Sequence, residues 1–547
     1  MNDTSKYTEI LTECKDLVER KQIGFLLGRQ RAALDPSLEI EEDLNQIISN
    51  TKLSEFFKQL ARDLDVLEPK TAEQTLKTHL EERKQNDVAD SAKENLATTY
   101  VNGLVNAAFC KDLLLTVEGG DSWVHKNKDH GMMAAAASLG MLMLWDIDQG
   151  LTDIDKYCNV NNEYIVAGAY IGIGIVNSGI KNECDPVYAI LHEALENSAA
   201  RQITKIGALI GLSLTYAGSK RQDLLDDFSP IILDSSNSIE LQAVAALSIG
   251  LVYVGSCNED AAQSILQTLM EKESKDLEHP FAKLFSIGLG LLFLGEEDLC
   301  EASLEACGVL QDANFAEYTK LLIDTLAYSG TGNVLKIQKL LHLLSEHKTE
   351  EKEALHQVAA TLGVAFIAFG EDVGQDMCIR TLNQLLTYGE PIIKKIVPLA
   401  IGLLRISNPD IATIDMLTKL AYDSNEQIAQ NAIFALGLVG SGSNNSRLAG
   451  NLRMLASYYN TKKDTLFVVR LAQGLIHMGK VRIFHYLRVY LHSTLSILTS
   501  SYTPESSLPG LLSLSLRHQT CRTSFWATTT TSCTTWCSAC TPRCARL

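Results

Sequence analysis

The stretch ITKIGALIGLSLTYAG (Ile203–Gly218) decides the fold. It mixes large aliphatic side chains with small ones and closes on glycine, a preferred helix stop. The pattern returns along the chain. IGIGIVNSG ends at Gly179, SIGLVYVG at Gly255, GLGLLFLG at Gly295, IDTLAYSG at Gly330, GVAFIAFG at Gly370, FALGLVG at Gly440 and AQGLIHMG at Gly479. From Gly179 onward the gaps are 39, 37, 40, 35, 40, 70 and 39 residues. The gap of 70 splits into 37 and 33 at IGLLRISNP, where Ser407 stands in for glycine. A fixed period of this size means one supersecondary unit stacked many times, the architecture of binding surfaces and scaffolds.

Each unit has two parts. The first is a helix rich in small residues, where Ala208, Gly211 and Ala217 let neighbouring backbones approach closely. The second is amphipathic, as in QDLLDDFSPIIL and AAQSILQTLMEK, with apolar residues spaced for one helix face. The small-residue helices are therefore expected in a tight inner layer and the amphipathic helices outside. No unit buries both its faces alone, so stability comes from stacking. The fold class is all-α, an α-solenoid of helix pairs. Four segments are expected: an N-terminal helical region with a charged connection (1–95), a helical lead-in (96–132), the repeats (133–480) and a Ser/Thr/Cys-rich tail (481–547).

Composition narrows the function. Apolar residues make up 46% and charged residues 21% of the 547, as in ordinary folded proteins. The net charge of -18 disfavours nucleic acid, whose phosphates need a basic face, and suits basic protein partners. The polar, acidic start MNDTSKYTEILTECKDLVERK does not read as a secretory signal. The longest apolar run, Met132–Trp145, is 14 residues, too short to span a bilayer, so no membrane is expected. Thirteen cysteines lie scattered, which points to reduced thiols and to the cytoplasm and nucleus.

Motifs for chemistry fail on inspection. Gly474–Lys480 imitates a phosphate loop, but Val481 follows where a magnesium-binding hydroxyl is needed. Ser329–Asn333 and Gly440–Asn445 are glycine-rich, yet a glycine turn is expected there in any case. Cys533, Cys537, Cys540 and Cys544 do not follow a common structural zinc spacing. His192-Glu193 has no second histidine at the spacing of a metalloprotease helix. Neither an enzyme, nor a metal, nor a cofactor is expected. The candidates left are carboxylates on the outer helices. Asp260 and Glu271, 11 residues apart, fall about three turns apart on one face, with Glu273 just beyond.

The stretches WVHKNKDHGMMAAAASLGMLMLWDIDQGLTDIDKY, YIVAGAYIGIGIVNSGIKNECDP, YAGSKRQDLL and FVVRLAQGLIHMGK closely resemble the large non-ATPase subunits of the 26S proteasome regulatory particle, which are built from proteasome/cyclosome repeats. The resemblance covers roughly residues 10–480. It implies a non-catalytic scaffold whose repeats close into a toroid of two helix layers. Implied partners are the proteasomal ATPase subunits and other regulatory-particle subunits, ubiquitin chains, the ubiquitin-like domains of shuttle receptors, and a deubiquitinase. Carried over by position after Gly255-Ser-Cys-Asn-Glu-Asp260, the ubiquitin-binding residues are Asp260, Gln267 and Glu271, with Ile265, Leu266 and Leu269 expected as an apolar face beside them. The deubiquitinase surface falls near Asp146 and Asp148. A generic helical-repeat adaptor without ubiquitin binding is the alternative.

The chain departs from that family at three places. It starts partway into the N-terminal region. Only SEHKTEEKEALHQ stands where many members carry a long charged insertion. The likeness stops after Lys480, where Glu505 becomes the sole acidic residue of 481–547. Read in a shifted frame, Thr528–Pro542 can encode a segment like the family's next helix, so this tail is expected to be frameshifted translation. The repeats are accordingly expected to leave their ring incomplete.

Overall fold

The computed structural model describes residues 9–30, 41–80 and 91–480, with short gaps at 12, 15, 118–119, 183, 198–199, 298, 348–350 and 370–371. The tail, its four cysteines and Gly370 lie outside the described residues. Among the described residues the secondary structure is helical, without strands.

Eleven helices form the inner layer: Ser91–Val105, His130–Leu142, Glu163–Val176, Gln202–Thr215, Ile239–Val252, Lys283–Leu292, Ala313–Ala327, Glu351–Ile367, Pro391–Leu404, Glu426–Val439 and Lys463–Ile476. Each packs on the next. They are buried almost all the way round; in Ile239–Val252, Ala243, Ala245, Ala246 and Ile249 have no exposed surface. The amphipathic helices lie outside them. Gln222–Leu233 and Glu259–Glu271 turn Leu224, Phe228, Ile265 and Leu269 inward and leave polar residues in solvent. The two-layer arrangement expected from the sequence is present.

Glycine works in this ring in two ways. Within the inner layer it allows backbone-to-backbone contact. A Cβ on Gly250 would stand 2.5 Å from the carbonyl oxygen of Gly288 on the next helix. Between units it carries the left-handed turn after several of the inner helices. Gly218, Gly255, Gly295 and Gly330 have φ of 72°, 57°, 78° and 78°. From that turn each N–H reaches across to the following helix. Gly218 N donates to Leu251 O (2.9 Å), Gly255 N to Leu291 O (3.1 Å) and Gly330 N to Phe366 O (2.9 Å). The glycine that ends one unit thus caps the exposed carbonyls of the next. Ser407 takes this role as expected, with φ 54° and its N–H on Leu438 O (3.0 Å). One register is corrected. Gly440 has φ -88°, and it is Gly442, at φ 64°, that donates to Leu475 O (3.0 Å).

The expectation of an incomplete ring is also corrected. The last inner helix, Lys463–Ile476, packs against the first, Ser91–Val105, and the inner layer closes. Tyr100 and Phe467 meet edge to face at 6.2 Å, and a Cβ on Gly474 would lie 3.1 Å from Leu104 and 3.3 Å from Val101. Lys93 and Asp464 form an ion pair at 2.7 Å across the rim. The glycine pattern hides this because the first two units have Ala108, at φ 65°, and Trp145, at φ 68°, where most later units have glycine. The N–H of Ala108 still caps Met141 O (3.0 Å).

The N-terminal helices strap onto the first units. Asn50 donates to the carbonyls of Gly28 (2.9 Å) and Gly179 (3.0 Å), and Lys181 N donates to Ser49 O (2.9 Å). Phe57 packs edge to face on Phe109 and Trp145, at 5.2 and 5.9 Å.

The closing seam carries a titrating group. Burial, helped by Lys70, Lys77 and Arg453, pushes His477 down to about 4. The unfolded imidazole titrates near 6.5, so between those values the unfolded chain binds the extra proton. Stability at the seam is therefore full above pH 6.5 and falls as pH drops towards 4. Hydrogen exchange of residues 463–476 at pH 7 and pH 5 measures this. His477→Gln should flatten the difference.

Candidate functional site

Helix Glu259–Glu271 begins at Asn258, whose side chain accepts from Ala261 N (2.9 Å). That cap sets the helix phase and hence the face that meets solvent. Asp260, Gln267 and Glu271 all lie exposed on one face, and Gln267 donates to Glu271 at 3.2 Å. The structure thus brings the three predicted residues together. It corrects the apolar part of the expectation. Ile265, Leu266 and Leu269 are 0%, 8% and 0% exposed and belong to the core of the ring. The apolar side chain beside the carboxylates is Met270, 37% exposed, with Leu233 exposed at the end of the preceding outer helix.

Sequence reasoning missed the neighbouring acids. Helix Gln222–Leu233 packs beside Glu259–Glu271 and exposes Asp223 and Asp226. Burial pushes the Tyr253 hydroxyl up, and the charges of Asp226, Asp223 and Asp260 add to the shift. Those three carboxylates therefore surround one point at the N-terminal ends of two outer helices, where helix dipoles favour negative charge. The string DLLDD carried that signal, since its acids recur on the polar face of an amphipathic pattern.

A second missed feature braces this surface. Arg221 pairs with Asp185, reaches Asp223 (3.1 Å), and lies over the rings of Tyr188 (5.0 Å) and Tyr216 (4.8 Å). Tyr188 donates to Asp227 (3.0 Å) and is pushed up to about 12 by burial and by that bond. His192 stacks on Tyr188 at 5.1 Å and approaches Asp227 at 3.2 Å. These contacts tie two consecutive units and fix the spacing of their outer helices.

Asp146 and Asp148 occupy different environments. Asp146 caps helix Ile147–Cys158 through Gln149 N (3.3 Å), pairs with Lys58 of the N-terminal strap, and accepts from Cys110 at 3.7 Å. Burial pushes the Cys110 thiol up to about 11, so it stays protonated. Asp148, two residues on, is exposed. Among the described residues, no cluster of His, Cys, Asp and Glu is arranged to hold a metal ion, and no helix is long and apolar enough to cross a membrane.

A closed double ring of glycine-capped helix pairs, with acidic outer faces, defines a protein built from proteasome/cyclosome repeats. Residues 244–275, which contain the candidate helix, match the proteasome/cyclosome repeat, and residues 1–81 match the RPN1 N-terminal domain. The chain is a homologue of the 26S proteasome non-ATPase regulatory subunit 2 proteins. It is 44% identical to the 26S proteasome regulatory subunit rpn1 of Schizosaccharomyces pombe, over 88% of this chain and 54% of that protein. It is 42% identical to the non-ATPase regulatory subunit 2 of Dictyostelium discoideum, over 86% of this chain and 52% of that protein. For homolog A of Arabidopsis thaliana the values are 43%, 88% and 55%. The chain spans about half the length of the curated relatives it matches.

Proposed function

We propose that this chain is a non-catalytic scaffold of the proteasome regulatory particle, and that helix Glu259–Glu271 receives ubiquitin or a ubiquitin-like domain. One observation carries the reading: Asp260, Gln267 and Glu271 share an exposed face, inside a matched repeat, on a helix whose buried side is locked into a closed ring. A partner with an apolar patch and a basic rim finds Met270 and Leu233 beside Asp223, Asp226, Asp260 and Glu271. Each such contact is weak alone, and a chain of linked modules gains through effective concentration. The ring docks beside the proteasomal ATPases and other particle subunits, in cytoplasm and nucleus.

The test is the double reversal Asp260→Lys, Glu271→Lys. Both residues are exposed, so the helical signal should not change, while affinity for a ubiquitin-like domain falls about tenfold, the sum of two modest surface charge terms. Unchanged affinity would leave a generic repeat adaptor as the better reading; co-sedimentation with proteasomal ATPases decides the assembly question separately.

For the deubiquitinase surface, the accessible carboxylate is Asp148, with Asp146 serving to hold helix and strap. Asp148→Lys should weaken deubiquitinase capture at constant melting temperature. Asp146→Ala removes a helix cap and an ion pair, and should destabilise by about 1–2 kcal/mol and expose the strap to protease. If Asp148→Lys leaves capture intact, the deubiquitinase does not dock there.

A further inference from the structure

The seam that closes the ring bears a cavity of about 380 Å³ that opens to solvent, within the size range of small-molecule sites. It lies between the strap at residues 70–77, the end of helix Ser91–Val105, the start of helix Ser446–Tyr458 and the end of helix Lys463–Ile476. Lys70, Lys77, Arg453 and His477 line it, and no aspartate or glutamate does. None of Lys70, Lys77 and Arg453 forms an ion pair among the described residues. In a chain of net charge -18, Lys70, Lys77 and Arg453 gather three cations at one cavity, with no carboxylate among its described lining residues. His477, among the same cations, stays neutral.

The fold fixes the backbone from which the cations project, with Lys70 and Lys77 exposed to solvent. Lys70 N donates to Asn106 Oδ1 (3.1 Å), and Asn106 Nδ2 donates back to Lys70 O (2.9 Å). A capping box between Thr71 and Gln74 starts the short helix Ala72–Leu76, and Lys77 ends it in the left-handed region at φ 52°. Arg453 stands on the facing helix, whose first turn contributes Ser446 and Ala449 to the wall. Val105, Ala449 and Ile476 supply an apolar floor.

We propose that the seam cavity binds a small organic molecule bearing phosphoryl groups, gripped by Lys70, Lys77 and Arg453. The charge balance selects this class. A single carboxylate would leave two cations uncompensated, whereas a di- or triphosphate matches all three. The apolar floor and the volume accommodate an organic portion beyond the phosphates. Such a ligand touches the first and last inner helices together with the strap, so binding stabilises the closed ring in proportion to its occupancy.

The test is calorimetric titration of the full chain with inorganic phosphate, pyrophosphate and ATP. Pyrophosphate and ATP should bind with Kd below about 1 mM, inorganic phosphate more weakly, and ATP tightest. Lys77→Gln and Arg453→Gln should each weaken binding about tenfold, while Lys275→Gln, an exposed cation elsewhere, changes nothing. In the unaltered protein the imidazole resonances of His477 should shift on binding, a readout that needs no variant to fold. No binding, binding indifferent to both substitutions, or an unmoved His477 signal overturns the proposal. So does displacement of ATP by a polyglutamate peptide at lower concentration, which would assign the cavity to an acidic protein segment.

Discussion

Phe467→Ala will open the ring at one place. Phe467 is 2% exposed and Tyr100, its edge-to-face partner, is fully buried. Removing the phenyl ring leaves a cavity between the first and last inner helices and costs about 3–5 kcal/mol. In a stacked array stability is close to a sum of unit and nearest-neighbour terms, so this cost falls on a single interface. The remaining support there is the close packing of Gly474 on Val101 and Leu104, the strap at residues 70–77, and the rim ion pair of Lys93 with Asp464, which is worth little in water. Amide exchange should accelerate in residues 91–105 and 463–476 while residues 239–252 on the far part of the chain keep their protection. Small-angle scattering should show a larger radius of gyration. Unaltered exchange at both seam helices would show that the closure does not depend on this contact.

Gly250→Val will damage the ring from within. The new Cβ would stand 2.5 Å from Gly288 O and 2.6 Å from Gly288 Cα, and the obstacle is backbone, which cannot rotate away. The helices Ile239–Val252 and Lys283–Leu292 must separate, at a cost of about 3 kcal/mol or more, the upper end of overpacking penalties. The displaced helix carries with it the cap that Gly255 gives to Leu291 and Leu292's bond with Cys257. Because outer helix Glu259–Glu271 follows directly, the proposed capture of a ubiquitin-like domain should fall too, although no residue of the candidate face has changed. Thermal unfolding followed by circular dichroism tests the stability; a melting temperature within a degree or so of the parent would refute the close-packing account. Gly450→Ala, where a Cβ meets nothing within 4 Å, is the control on an outer helix.

The placement of the candidate site was half legible. Asp260, Gln267 and Glu271 share a face because a helix repeats every 3.6 residues, and that period needs no neighbour to define it. Which face points outward is another matter. Ile265, Leu266 and Leu269 looked available beside the carboxylates, but the inner helix Lys283–Leu292 covers that side. Asp146 and Asp148 look equivalent in WDIDQG. Only one of them lies within reach of Lys58, which is 88 residues away in the chain.

The sequence by itself determined the unit: small-residue helix, left-handed turn, amphipathic helix, repeated at intervals of 33 to 40 residues. It could do so because helix periodicity, glycine at positive φ and close backbone contact are local demands, written into neighbouring residues. Tertiary structure alone decided that the array closes. Closure depends on whether the curvature accumulated over all the units brings residue 467 onto residue 100, and on a first helix that fits without a glycine to mark it. The same long-range meeting assembled Lys70, Lys77, Arg453 and His477 around one cavity, from segments that share no local pattern.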